Sequence, residues 1–582
     1  MPHSSRRAVD YALLLAVLAL VALPTLGATS LWDRDEGYYC AVAQEMLAAG
    51  DWVKPTFNGE LFSEKPPLLY WTQMAAFSLL GVNEFAARIP TVFAAAAVLL
   101  LVYELARQMF DRTTALGAGL VLATCIEFCL QAHAATPDML LVAFTVGSLL
   151  CFWRGLEGPR PNAWHLAAGV FTGLAILTKG PVGIVLPGLV VALYAVWNRE
   201  PWLLARASIW RGMAVAIAVS APWYVAVAWQ TDYAFLADFF GTHNVGRFVT
   251  PLQNHRGSMF YQLLGVLIFY SPWNLVLLAV VVASVQLAWR KLPLSTVAQA
   301  DETLDLETSV AGQNAYRFLL AWVVTYLVFF SLAATQLPHY VFPLYPPLAI
   351  LTARYLDRWR RKLIAPGALL EWTAWGSYVL VGVVAGVGLL IVGGAVRVPL
   401  GKVDVIPGLA IWSLAALCLP VAAVIALVAR KCEHRGAALG SLGIGALLFA
   451  VLLSIGPPQR VERLKAPRDL AKAVHGQSQG QTVRLASLSY FQPSLVYYLG
   501  PVVERLPGKS SAREMLDQDA PACLLLPAKQ WDALAKGLDA RCRVLHREYD
   551  LYTREEIVAV CNFPELTDTE LASQTTATTS RH

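Results

Sequence analysis

The chain predicts a polytopic α-helical membrane protein with a small soluble α/β domain at its C-terminal end. Three observations carry this. The 582 residues are 57% hydrophobic and 15% charged, with mean hydropathy +0.52, whereas soluble domains run at about 45–50% and about 25%. Apolar runs of the length a bilayer requires, about 20 residues, recur between residues 11 and 455. From residue 457 onward the composition becomes that of a soluble protein.

The N-terminus reads Met1-Pro2-His3-Ser4-Ser5-Arg6-Arg7 and then turns apolar. A signal peptide would begin similarly. With no well-placed small-x-small cleavage site, and a run long enough to span, it reads as an uncleaved first helix with its basic end in the cytoplasm. Candidate spans are 11–29, 86–106, 114–132, 139–156, 164–178, 181–197, 208–228, 260–288, 316–334, 340–356, 372–395, 407–429 and 437–455, about 13 transmembrane helices. The two flanking Lys179 are short. Arginines and lysines at 107–112, 154–160, 199–211, 290–291, 354–362 and 430–435 then fall on one side, as the positive-inside rule requires. An odd number of spans places the C-terminal domain on the outer side of the membrane. Trp and Tyr number 18 and 21, and many stand near span ends, where interfacial belts form.

The expected organisation is a membrane domain over 1–456, with a long first periplasmic loop over 30–85. A periplasmic α/β domain over 457–566 and a Thr/Ser-rich disordered tail over 567–582 follow. In the first loop, Tyr38 to Ala49 and Pro66 to Phe77 have helical spacing. The inner loop 291–315 is polar and is expected to be mobile. Strands are expected over 483–488, 522–526 and 543–549, with helices over 493–499 and 529–538.

The net charge of +5 is small and does not point to nucleic acid. The nine cysteines form no CxxC pair and no zinc spacing. Cys523, Cys542 and Cys561 cluster near the C-terminus, where buried thiols and one disulfide both remain open. No internal repeat of the kind that marks inverted-repeat transporters is visible.

The polar residues that carry chemistry gather on the outer side. Asp33, Asp35 and Glu36 follow the first span, and Asp35 is also placed to cap a helix beginning near Gly37. Glu64-Lys65-Pro66-Pro67 fixes two charged side chains ahead of stiff backbone. There Lys65 suits a phosphate, and Glu64 suits a metal ion or a sugar hydroxyl, unless the two form only a surface ion pair. Thr136-Pro137-Asp138 opens a span, either as a helix start or as a second outer-loop acid. Lys179 interrupts an apolar stretch, which is costly without an anionic partner. His243, Arg247, His255 and Arg256 share the loop 229–259, and Gln336-Leu337-Pro338-His339-Tyr340 ends another span. Each alone is as easily a solvated or capping residue. Their convergence on one face suits an enzyme acting on a lipid phosphate, with the phosphate met by Lys65, Lys179 and Arg247.

Asp35-Glu36 with Tyr39, Gln44-Glu45-Met46-Leu47, Gly50-Asp51-Trp52 and Glu64-Lys65-Pro66 resemble the periplasm-facing lipid-linked sugar transferases of the GT-C class. Within the protein O-mannosyltransferase superfamily, the match is nearest to the 4-amino-4-deoxy-L-arabinose lipid A transferases. Thr178-Lys179-Gly180, Arg247-Phe248, His255-Arg256 and Leu337-Pro338 with Tyr340 fit the same pattern. The resemblance covers residues 10 to 350 well and the rest by layout. It implies a membrane fold of about 13 helices with a soluble outer domain, and a polyprenyl-phosphate sugar donor. It implies catalytic roles for Asp35, Glu36 and Lys65. Donor or phosphate contacts would come from Tyr39, Lys65, Lys179, Arg247 and Tyr340, with Asp138 as the second outer-loop acid. Glu64 and His255 would hold a divalent metal ion if one takes part. Two positions depart from the family: Tyr38 stands where Arg is common, and Gln336 where Lys is expected before Leu-Pro. Both remove positive charge and leave another sugar or another acceptor open.

The expected reaction moves a sugar from the lipid phosphate to lipid A or a similar envelope glycolipid, in contact with membrane lipids. A hydroxyl acceptor would need Asp35 as general base. A phosphate acceptor arrives ionised, so Asp35 would orient it instead. A protein O-mannosyltransferase is the neighbouring alternative. A flippase for a lipid-linked saccharide is the alternative from another class, although transporters carry charge deep in several spans.

Overall fold

Apolar runs without turn signals fold as helices in the computed structural model of the chain. It describes residues 3–33, 35–246, 258, 260–289, 310–364, 368–396, 405–478, 482–500, 502–536, 538 and 542–563. The chain begins with α1 (His3–Ala22). Next come α2 (Glu36–Ala49), the two-stranded hairpin β1 (Thr56–Phe57) and β2 (Glu60–Leu61), and α3 (Leu68–Leu80). Then follow α4 (Glu84–Met109), α5 (Arg112–Ala123), α6 (Ile126–His133), α7 (Asp138–Glu157), α8 (Pro161–Lys179), α9 (Val182–Trp197), α10 (Ala207–Gln230) and α11 (Ala234–Phe240). The chain divides into two compact units. One comprises Met1–Ala28, Trp52–Lys54 and Phe62–Pro458, and the other Thr29–Asp51, Pro55–Leu61 and Gln459–His582.

Within the first unit, seven helices among the described residues are long and apolar enough to cross a membrane, or eight if α5 and α6 form one bent span. Three shorter apolar helices accompany them: Leu68–Leu80, Val182–Trp197 and Asn274–Trp289. The expected spans 11–29, 164–178 and 340–356 are helical too, as α1, α8 and Tyr345–Arg360, but fall short in length or apolarity.

Two expected spans are interrupted. The run 114–132 bends by 66° between α5 and α6. The freed backbone groups there find new partners. Thr124 Oγ1 donates to the Leu120 carbonyl and accepts from the Trp273 indole, and Ile126 N–H donates to the Ser271 carbonyl. The run 260–288 breaks between Tyr261–Phe269 and Leu277–Trp289, where Pro272 supplies no N–H.

Helix packing in this unit rests on small residues. α7 runs out, turns at residues 158–160, and α8 returns beside it before packing on α10. A methyl group on Gly169 of α8 would collide with the Gly212 carbonyl oxygen of α10. The two backbones can meet only because no Cβ intervenes. Tyr103, Phe128, Tyr270, Phe318, Trp322 and Tyr345 fill one continuous apolar core. At the arginine-rich end, Asp10 takes a bidentate pair from Arg112 and a hydrogen bond from Tyr103. Asp111 accepts from Arg354 and Arg361, and Asp357 from Arg360.

The second unit is built on a five-stranded sheet in the order β4-β3-β5-β7-β6. Its strands are β3 (Arg484–Ser487), β4 (Glu504–Arg505), β5 (Ala522–Pro527), β6 (Arg543–Asp550) and β7 (Glu555–Cys561). β3 runs parallel to β4 and β5, while β7 is antiparallel to β5 and β6. Leu524, Leu526, Val558 and Val560 face one side, against Met515, Leu516, Trp531 and Leu534. The helix Ala466–Ser478 packs on β6 and β7. Three expected strands are present. β4 and β7 escaped the sequence reading, as did the helices Ala466–Ser478 and Lys509–Asp517. The structure adds Thr29–Asp51 and Pro55–Leu61 to this unit. Asn58 bonds the edge of the sheet from that first loop, donating to the Val503 carbonyl and accepting from its N–H. Of the inner loop expected over 291–315, residues 310–315 open the helix Val310–Leu332, while 291–309 and the tail 567–582 lie outside the described residues.

Candidate active site

The polar residues of the first unit meet because α7 and α8 are antiparallel. Asp138 is the first residue of α7 and Lys179 the last of α8. Helices of 20 and 19 residues rise about 30 Å each, so the return stroke ends level with the start. Lys179 Nζ lies 2.6 Å from Asp138 Oδ1. Each charge also suits its helix end, the carboxylate at the N-terminus and the ammonium at the C-terminus. Asp138 is only 7% exposed, and Lys179, His339 and Lys65 all act on its charge. The Lys179 ammonium also stands 5.3 Å from the Tyr340 ring centre, a cation–π contact. Gly180 ends α8 at φ +74°, and its Cβ position is occupied by the Phe239 ring. The Lys-Gly-Pro sequence therefore turns the chain immediately after Lys179.

Lys65 is buried, donates to the Glu64 carbonyl at 3.1 Å and lies 3.9 Å from the Glu64 carboxylate. The same segment is tied down one residue earlier. The Ser63 hydroxyl donates to Asp238 of α11, whose carboxylate lies 3.4 Å from His243. Burial pushes the Asp238 carboxyl up, but hydrogen bonds from Ser63, Thr242 and His243 outweigh it and hold the group below its usual range. Ser63 and Asp238 were not singled out from the sequence. A lone acid in the aromatic run Phe235 to Phe240 was the signal present.

The first-loop acids belong to the second unit and differ from one another. Asp35 is exposed and precedes α2 without a side-chain capping bond. Glu36 is buried and accepts from Trp32 N–H at 2.8 Å, which closes the turn. Tyr39 is buried on α2. Asp33 is buried and accepts the Ser494 N–H at 2.8 Å, at the start of the helix Pro493–Leu499. Burial raises its carboxyl to about 6, against the lowering effect of the Ser494 bonds. Around it, Ser30 donates twice to Glu462, and the Lys465 ammonium lies 3.7 Å from the Trp32 ring centre.

Arg247, His255 and Arg256 lie outside the described residues. Among the described residues, no three His, Cys, Asp or Glu side chains converge as metal ligands. Glu64 instead has Lys65 as its charged neighbour.

Residues 64–225 match the profile of a family described as dolichyl-phosphate-mannose-protein mannosyltransferase. The undecaprenyl phosphate-α-4-amino-4-deoxy-L-arabinose arabinosyl transferase of Erwinia tasmaniensis is 30% identical over 80% of this chain and 79% of its own. This chain belongs to that transferase family. A Pseudomonas fluorescens member is 32% identical over 62% of this chain and 63% of its own. The crystal structure of ArnT from Cupriavidus metallidurans bound to undecaprenyl phosphate superposes with a TM-score of 0.74. The match covers 96% of this chain and 98% of that one at 23% identity, a likeness of fold.

As a member of the arabinosyl transferase family the protein is a membrane glycosyltransferase, and the flippase reading gives way to an enzyme. Its two departures from the family pattern have structural uses here. Tyr38 packs its ring 4.6 Å from that of Phe57. Gln336 is buried and donates to the Ser331 and Ala333 carbonyls, closing the end of the helix Val310–Leu332.

Proposed function

We propose that the protein transfers 4-amino-4-deoxy-L-arabinose from undecaprenyl phosphate to a lipid A phosphate at the periplasmic face of the inner membrane. The observation that carries this reading is the buried Asp138–Lys179 pair with Lys65 and His339 in its field. Cations held at helix ends beside apolar spans suit a phosphate whose lipid tail stays in the membrane. The bond between the anomeric carbon and the donor phosphate oxygen breaks as the acceptor oxygen attacks. Undecaprenyl phosphate leaves with the added charge. Lys65 and Lys179 would stabilise that charge as it develops, and Arg247 is assigned the same role on its family motif. A lipid A phosphate is already ionised, so Asp35, assigned on its family motif, would orient the acceptor and not act as a base. Tyr340 would hold the Lys179 ammonium in place.

The test is transfer by the purified full-length protein in lipid nanodiscs, given the undecaprenyl-phosphate aminoarabinose donor and lipid A. Mass spectrometry should find lipid A heavier by one aminoarabinose. No product with this donor, alongside transfer from a different polyprenyl-phosphate sugar, would reassign the substrate. Lys65→Ala should abolish turnover without reducing the amount of inserted protein, because a leaving-group cation acts mainly in the transition state.

A further inference from the structure

The second unit contains a pair of thiols that the transfer reaction does not use. Cys523 lies near the start of β5 and Cys561 at the end of β7, and the two are direct cross-strand partners. The neighbouring pair sets their geometry. Asn562 N–H donates to the Ala522 carbonyl at 3.3 Å, which makes 522 and 562 the hydrogen-bonded pair. Cys523 and Cys561 are therefore a non-hydrogen-bonded pair, whose Cα atoms in an antiparallel ladder stand about 4.5 Å apart, with side chains turned to the same face. Disulfides form at Cα separations of about 4.4–6.8 Å. Both side chains are fully buried. Cys542, the third cysteine of the cluster, instead directs its sulfur to the Leu516 carbonyl.

We infer that Cys523 and Cys561 are a modification site, joined in the mature protein as a disulfide that staples β5 to β7. This rests on the reading that the C-terminal unit lies on the periplasmic side, where thiols meet an oxidising environment. Before the sheet closes, while both thiols are still accessible, the Cys561 thiolate attacks a sulfur of an envelope dithiol–disulfide oxidoreductase, displaces that enzyme's other sulfur as a thiolate, and forms a mixed disulfide. Cys523 then attacks the Cys561 sulfur, the S–S bond forms, and the oxidoreductase leaves as a dithiol carrying the two electrons and two protons.

Thiols in intact cells are trapped with acid. The full-length protein is then denatured, alkylated and digested with and without reductant. The expected result is one linked peptide pair containing Cys523 and Cys561, separated and alkylated only after reduction. Alkylation of both in unreduced protein overturns the disulfide. A Lys509→Cys reporter on the exposed surface of the same unit, probed in spheroplasts with a membrane-impermeant maleimide, tells the two readings apart. Labelled reporter with unlinked Cys523 and Cys561 rejects the disulfide alone. An unlabelled reporter with unlinked thiols rejects the periplasmic placement as well. In protein that passes the first test, reductant should lower the temperature at which the C-terminal unit becomes protease-sensitive. That shift should vanish in Cys523→Ser/Cys561→Ser.

Discussion

Asp33 and Asp35 stand two positions apart in one loop and have opposite environments. Asp33 is buried and holds the Ser494 N–H, while Asp35 is exposed and makes no capping bond. The first is engaged in the fold, and the second is exposed. Asp35→Asn should reduce turnover by roughly 10²-fold or more, the scale of a positioned acid–base group, and Asp33→Asn far less. Full activity in Asp35→Asn with loss in Asp33→Asn would reverse the assignment of this loop. Asp33 also makes a stability prediction. Its carboxyl is raised to about 6 in the folded protein, so the folded state binds the proton more tightly than the unfolded chain. Stability from this group is present below the unfolded value and lost as pH rises through the folded one. Two pKa units correspond to about 3 kcal/mol. Melting of the C-terminal unit should therefore fall between about pH 4 and pH 6. Asp33→Asn should flatten part of that slope. Nearby Asp550, also raised by burial, keeps the rest. An unchanged slope in the variant would remove Asp33 as its source.

At the scale of elements, the α7–α8 hairpin turns two remote residues into a pair. Leaving one charge of such a buried pair uncompensated costs about 3–5 kcal/mol. Lys179→Met should lower both the yield of folded protein and turnover, and Asp138→Asn should do the same. If Lys179→Met keeps normal turnover, the pair is structural only. Gly180 tests the same hairpin without touching a charge. Its φ of +74° and its contact with the Phe239 ring make any side chain strained. Gly180→Ala should shift the Lys179 ammonium and raise KM for the lipid-phosphate donor. An unchanged KM would show that the turn tolerates movement. Legibility at this scale was uneven. α2, α8, α9 and the helix Pro493–Leu499 follow from local pattern and proline or glycine punctuation. The break between α5 and α6 does not, because Trp273 and Ser271 supply its partners from far along the chain.

Across the whole molecule, charge is sorted before any packing is considered. The arginine-rich loops are neutralised locally by Asp10, Asp111 and Asp357. A reporter fused after Lys362 should read cytoplasmic and one after Pro467 periplasmic. Both on one side would change the parity of spans. The membrane class and the transferase family were legible because composition and short motifs are properties of the chain itself. Lys65, Lys179 and Asp138 were legible for the same reason, since a charge beside apolar runs declares its cost. Only the tertiary structure decided which charges meet, that Ser63 and Asp238 anchor the Lys65 segment, and that the first loop joins the C-terminal sheet. The Cys523–Cys561 register was decided there too. These depend on contacts between residues up to several hundred positions apart, and local propensity carries no record of which distant group will satisfy a buried donor or acceptor.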